Sequence, residues 1–234
     1  MFAAGLGTRL RPLTDRMPKA LVEVDGVPLL EHVARRLVEA GATRLVVNVC
    51  PFADEIERFV RARRGFGVEV VLSRESPAPL ETGGGLLHAR NRFCENGPIL
   101  LHNVDVLTDL SLASLLRAHA GSDALATLAV ADRPSSRRLV FDDRGLLGRD
   151  DASRGPSPRA RPVSGAPTSL AFAGVHVVAR ALLDRIEERG AFSIVETYLR
   201  LAREGAAIRP HRVDGARWVD VGRPETLEAA RRPL

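Results

Sequence analysis

The chain has 234 residues, 45% of them hydrophobic, which suits one packed α/β domain and argues against wholesale disorder. Its net charge of +5 is carried by scattered arginines with only 4% aromatics, so no stacking platform for nucleic acid is present. No apolar run approaches the roughly 20 residues needed to span a bilayer, and a cytoplasmic protein without a membrane segment is expected.

Short β-rich runs alternate with amphipathic stretches, the pattern of a doubly wound, mostly parallel sheet with helices on both faces. Phe2-Ala3-Ala4 reads as the end of a buried strand running into a glycine turn. Residues 28–40 carry Leu29, Leu30, Val33 and Leu37 at helical spacing, with Gly41 placed as a C-cap. A buried strand over 45–49, a helix over 53–63 and a strand over 68–72 follow, and a glycine-rich segment then opens a helix near Leu86. Ile99-Leu100-Leu101 forms the next strand, with Asp105 just beyond its end, and Asp109 and Ser111 read as helix caps. Strands are expected over 124–130, 139–141 and 170–178. Ser193-x-x-Glu196 has the spacing of a capping box, and Pro224 suits the first turn of a last helix. Residues 149–168, rich in Pro, Arg, Ser and Gly, break this rhythm and read as a mobile loop within a single domain spanning 1–234.

Cys50 and Cys94 lack metal spacing and read as reduced thiols, and the six histidines form no paired metal motif. Lys19 is the only lysine among 34 basic residues. Whatever bias favours arginine, this position escaped it, as expected where a compact ammonium must fit and a planar guanidinium cannot.

Four motifs carry chemistry. Ala3-Ala4-Gly5-Leu6-Gly7-Thr8-Arg9, followed by Pro18-Lys19, is a strand-to-turn segment whose backbone N–H groups can approach phosphate oxygens. It has neither the Gly-Lys-Ser/Thr ending of a Walker loop nor the third glycine of a dinucleotide fingerprint. Leu80-Glu81-Thr82-Gly83-Gly84-Gly85 offers bare backbone on which a flat base could lie. Asn103-Val104-Asp105 falls past a strand end, where α/β sheets place ligand-binding groups, and Trp218-Val219-Asp220-Val221-Gly222 supplies a second carboxylate late in the chain.

Together these motifs resemble the nucleotidyltransferases that activate sugar 1-phosphates, over nearly the whole chain, and most of all their compact N-acetylmuramate-1-phosphate uridylyltransferase members. The resemblance implies a Rossmann-like fold and transfer of a nucleotidyl group from an NTP to a sugar 1-phosphate, releasing pyrophosphate. It implies that Gly5, Gly7, Thr8 and Arg9 hold the triphosphate and that Lys19 sits on the transferred phosphoryl group. Glu81, Thr82, Gly83 and Gly84 would contact the nucleoside, and Asp105 and Asp220 would hold Mg²⁺. Relatives usually read Gly-Asp where Val104-Asp105 stands, so Val104 is expected to narrow the space beside the metal. They also begin a few residues earlier, which suggests a late start within the first strand. The larger relatives' Glu-Lys-Pro acceptor segment is absent, and the acceptor side is expected around residues 149–168 and Ala173-Gly174-Val175. Alternatives are guanylyl transfer to mannose 1-phosphate, thymidylyl transfer to glucose 1-phosphate, a phosphocholine-like acceptor, or a silent sugar-nucleotide-binding regulator. The scarcity of aromatics disfavours a quaternary ammonium acceptor, and intact Arg9, Lys19, Asp105 and Asp220 disfavour a silent relative.

Overall fold

The computed structural model describes residues 1–231. A small hairpin of β1 (Glu23–Val24) and β2 (Val27–Pro28) leads directly into α1 (Leu29–Glu39). Leu29, Leu30, Val33, Ala34 and Leu37 line the buried side of α1, as their spacing requires. The helix stops at Gly41, whose φ of +95° lets its amide turn back to the Val38 carbonyl at 2.9 Å. Next come β3 (Arg44–Val49), α2 (Ala53–Ala62), β4 (Glu69–Arg74) and α3 (Glu81–His88). β5 (Ile99–His102), β6 (Val106–Thr108) and α4 (Leu112–Ala120) complete the first half.

β7 (Ala126–Ala131), β8 (Arg137–Asp142), β9 (Gly145–Asp151), β10 (Gly155–Pro156) and β11 (Thr168–Val178) form the second. The chain closes with α5 (Ile194–Arg203), β12 (Ile208–Arg212), β13 (Trp218–Asp220) and α6 (Pro224–Ala230).

The sheet is mixed. β3 and β4 pair in parallel, and Phe2 bridges in parallel to both Asn48 and Asn103, which places the N-terminal segment between β3 and the end of β5. β12 also runs parallel to β7. The long β11 is antiparallel to β5, β7 and β8, and it joins the two halves. One hydrophobic core lies under α1, α2 and α4, around Leu30, Leu37, Val47, Ile56, Leu115 and Val175. A second lies under α3 and α5, around Leu86, Leu101, Leu128, Tyr198 and Leu201. Each fully buried leucine or isoleucine contributes about 1.5–3 kcal/mol, so these two layers hold the elements in place.

Several local expectations need correction. The glycine run lies inside α3 and does not precede it. Asp109 caps no helix: its carboxylate accepts from the Arg217 amide at 2.8 Å and ties the approach of β13 to the end of β6. Ser111 is a cap, accepting from the Ser114 amide at 3.2 Å. Ser193 also caps its helix, with its hydroxyl accepting from the Val195 amide, but the reciprocal Glu196 bond of a capping box is not formed.

Residues 149–168, read as a loop from composition, begin inside β9 and include the β9–β10 hairpin. The rest is tethered by Asp142, whose side chain is fully buried. It receives both Arg161 guanidinium nitrogens at 2.6 and 2.7 Å and the Ser164 amide at 2.8 Å. These bonds hold the Asp142 carboxyl well below the usual carboxylate range. Apolar periodicity cannot register a segment anchored by one buried ion pair.

Candidate active site

The first glycine motif ends the N-terminal strand at the cleft. Gly7 adopts φ +63°, and a Cβ there would lie 2.9 Å from the Thr14 methyl and 3.1 Å from the Lys19 Cβ. The Thr14 hydroxyl donates to the Gly7 carbonyl at 2.8 Å, so the turn and the lysine segment are fastened together. Thr8–Leu10 forms a 3-10 turn beyond it; Gly5, Thr8 and Arg9 are exposed, and Gly5 and Arg9 line the cleft while Thr8 does not.

Lys19 is 7% exposed, and its Nζ lies 2.5 Å from Asp105 Oδ2. Asp105 belongs to the turn between β5 and β6, where the Val104 amide donates to the Phe2 carbonyl at 3.1 Å. Val104 itself is buried in the first core and does not narrow the site, contrary to the expectation from its position. Asp220 reaches the same place through the antiparallel β13–β6 pair, in which it stands opposite Val106. The Val221 amide then donates to the Asp105 carbonyl at 2.8 Å. Two residues far apart in sequence are thus neighbours.

Burial raises the Asp220 carboxyl above its ordinary range, and the charge of Asp105 adds to the effect against the pull of Lys19, Arg9 and Arg133. Its Oδ1 is buried with no hydrogen-bond partner among the described residues. Gly222 has no side chain for a local reason. A Cβ there would meet Asp220 Oδ1 at 2.7 Å and the Arg9 guanidinium at 3.2 Å.

Two compartments meet at this cluster. One, of about 370 Å³, is lined by Ala4, Gly5, Asn48, Glu75, Glu81 and Thr82, among others. The other, of about 630 Å³, is lined by Arg9, Arg133, Arg137, Arg149, Trp218 and Asp220, among others. Asn103, Asp105, Arg137 and Ser193 border both.

Glu81 and Thr82 therefore stand on the first compartment, but Gly83 and Gly84 do not line it. They are small because α3 is pressed against other chain segments. A Cβ on Gly83 would lie 2.2 Å from the Phe192 ring, and one on Gly84 2.2 Å from the Gly190 carbonyl. Thr82 adds to this junction, its hydroxyl accepting from the Ile194 amide at 3.0 Å.

Sequence reasoning missed Asn48 and Glu75. Both are buried, and the Asn48 amide donates to Glu75 at 2.6 Å and to the Gly85 carbonyl at 2.8 Å. The second Glu75 oxygen accepts from the Leu80 amide at 2.7 Å, so the pair braces the entry to α3. A lone polar residue in the apolar run 45–49 was the available signal. Arg133 was also missed. Its guanidinium lies 3.4 Å over the Trp218 ring, while Trp218 Nε1 donates to the Ala173 carbonyl at 2.8 Å.

The cleft thus brings together a glycine turn, a buried lysine and two converging carboxylates. The whole chain, residues 1–234, matches the family described as nucleotidyl transferase, and the protein belongs to that family of enzymes. It is 35% identical to an N-acetylmuramate alpha-1-phosphate uridylyltransferase of Caulobacter vibrioides, over 98% of this chain and 93% of that one. It is 30% identical to mannose-1-phosphate guanyltransferase beta-A of Xenopus laevis, over 96% of this chain but 61% of that longer one. In fold it is similar to UDP-glucose pyrophosphorylase from Acinetobacter baumannii, with a TM-score of 0.76, 21% identity, and coverage of 99% of this chain and 90% of that one. Among the described residues, no helix is long and apolar enough to cross a membrane.

Proposed function

We propose that the chain transfers a uridylyl group from UTP to N-acetylmuramate 1-phosphate, with Mg²⁺ as the metal ion. The observation that carries this reading is the Lys19–Asp105–Asp220 cluster at the border of the two compartments. The choice of base and sugar rests on the near full-length similarity to a uridylyltransferase of that specificity.

In this reading UTP occupies the compartment beside Gly5, Glu81 and Thr82, and the sugar occupies the arginine-lined one. A phosphate oxygen of the acceptor, already ionised at neutral pH, attacks the α-phosphorus of UTP. The new P–O bond forms as the α–β anhydride bond breaks, and its electron pair leaves on pyrophosphate. No protein base is required. The protein holds two polyanions in line and offsets their charge. Lys19 supplies a compact charge at the transferred phosphoryl group, and Arg9 faces the departing pyrophosphate from the glycine turn.

The residues fit a hard cation. Asp220 has a buried oxygen without a partner, its carboxyl is loaded by the charge of Asp105, and both are oxygen donors of the kind Mg²⁺ takes. When bound there, Mg²⁺ supplies further positive charge to the phosphates. Glu75 is engaged at both oxygens by Asn48 and the Leu80 amide, and it is a brace rather than a ligand.

A panel of nucleoside triphosphates against sugar 1-phosphates, followed by pyrophosphate release with and without Mg²⁺, tests the proposal. UTP with N-acetylmuramate 1-phosphate is expected to give the highest kcat/KM. A clear preference for GTP with mannose 1-phosphate would overturn it in favour of the guanylyl reading.

A further inference from the structure

The proposed acceptor compartment carries more arginines than one sugar 1-phosphate requires, even with Arg9 assigned to the pyrophosphate and with Asp105 and Asp220 lining the same space. Five arginines border it: Arg9, Arg133, Arg137, Arg149 and Arg223. Arg9 stands at the glycine turn beside Gly222, and Arg133 is fixed over Trp218 with a bond to the Phe172 carbonyl at 2.8 Å. Arg223 precedes α6 at the rim. Arg137 and Arg149 stand elsewhere, on the antiparallel ribbon of β8 and β9.

That ribbon pairs Leu139 with Arg149 and Arg137 with Asp151. Because side chains alternate across a strand, Arg137, Leu139, Arg149 and Asp151 share one face. Three of them, Arg137, Leu139 and Arg149, line the compartment. Arg137 is already compensated by Asp151 at 3.3 Å. Arg149 is half-buried and forms no ion pair among the described residues, and it acts on Asp151 only at longer range. A partly desolvated guanidinium without an anion is costly, and a planar carboxylate is the partner its fork matches best. Leu139, Phe172 and Val195 give the same compartment an apolar floor beside this charge.

We infer that Arg149, with Arg137 beside it, reads a carboxylate on the acceptor sugar that is separate from its 1-phosphate. The reacting phosphate must lie at Asp105 and Asp220, which come from other elements, so the ribbon is free to read the far side of the sugar. This rests on the nucleotidyl-transfer reading and names a specificity group within it. N-acetylmuramate carries such a carboxylate on its lactyl ether, and N-acetylglucosamine is the same ring without it.

The test compares N-acetylmuramate 1-phosphate with N-acetylglucosamine 1-phosphate as acceptors, using UTP and Mg²⁺, for the parent, Arg149→Gln and Arg149→Lys. The parent should favour the carboxylated acceptor. In Arg149→Gln the ratio of the two kcat/KM values should fall at least tenfold, chiefly through KM, with Arg149→Lys recovering part of it. A parent that favours N-acetylglucosamine 1-phosphate, or a ratio unchanged by Arg149→Gln, would overturn the inference and leave nucleotidyl transfer standing. If the parent turns over neither acceptor, the transfer reading fails on its own. Calorimetric binding of free N-acetylmuramate and N-acetylglucosamine then decides the carboxylate claim separately. Tighter binding of the former that Arg149→Gln abolishes supports it, and equal binding refutes it.

Discussion

The two compartments are built from different materials. The one beside Gly5 is lined by small residues such as Ala4 and Gly5 together with side chains fixed by hydrogen bonds, Asn48 and Glu75 to each other and Thr82 to the Ile194 amide, and α3 is packed closely enough that Gly83 and Gly84 admit no side chain. The one beside β8 and β9 is walled by long guanidinium side chains, and its ribbon is tethered by the buried Asp142–Arg161 pair. Small residues and hydrogen-bonded side chains suit a ligand part that never changes, because they have little conformational entropy left to lose. Arginine walls can be altered one residue at a time without disturbing a strand. On the proposed reading, the first wall serves the nucleotide common to the reaction and the second serves the acceptor.

Four substitutions press on this contrast. The largest effect is expected on stability from Arg161→Leu, which strands the Asp142 carboxylate inside the acceptor half at a cost of about 3 kcal/mol. Urea denaturation measures it. The sign with pH follows from the depressed carboxyl of Asp142. Its contribution is fully present above the unfolded carboxylate pKa, near 3.9, and is lost as pH falls toward the lower folded value. The gap between parent and variant should therefore narrow in acid; a gap constant down to pH 3 would place the cost elsewhere.

Next is the junction of the walls. Asp105→Asn should lower turnover at least hundredfold, about 2.7 kcal/mol of transition-state stabilisation. Adding Asp220→Asn should cost far less in that background than in the parent, since groups acting as a unit are not additive. A double-mutant cycle at two Mg²⁺ concentrations measures this, and strict additivity would show that the carboxylates work separately. Asp220→Asn alone should also melt higher at neutral pH. Its carboxyl is raised in the folded state, so the ionised form penalises folding above that value, and the penalty fades as pH falls.

The smallest effect is Lys19→Arg, which keeps the charge and enlarges the head. Turnover should fall at least tenfold, about 1.4 kcal/mol. Near-normal turnover would mean that the glycine side of the cleft tolerates the same arginine chemistry as the acceptor side, and the contrast would lose its sharpest point.

Much of this was legible from the residues. Leu29, Leu30, Val33 and Leu37 announced α1, and the apolar run 45–49 announced β3, because burial imposes a period on the chain. The glycine turn, Lys19, Asp105 and Asp220 stood out as ordered motifs, and the structure brings the last three together. The direction of β11 was not legible, since a strand buried on both faces looks alike in parallel and antiparallel pairing. The glycines of α3 were read as a surface for a base, yet their neighbours Phe192 and Gly190 lie more than a hundred positions away, and local sequence carries no trace of such contacts. Arg149 was hidden by composition. In a chain whose basic residues are all arginine but one, no single arginine draws the eye.

That same composition gives the site a private chemical address. An acylating or reductively methylating reagent aimed at lysine finds one ε-amine along the whole chain, and it stands against Asp105 where the two compartments meet. With 7% of its side chain exposed, Lys19 should react slowly, and more slowly still when a nucleotide lies across it. The extent of lysine labelling, read by peptide mass, then becomes an occupancy scale for this cleft that needs neither turnover nor a chromophore.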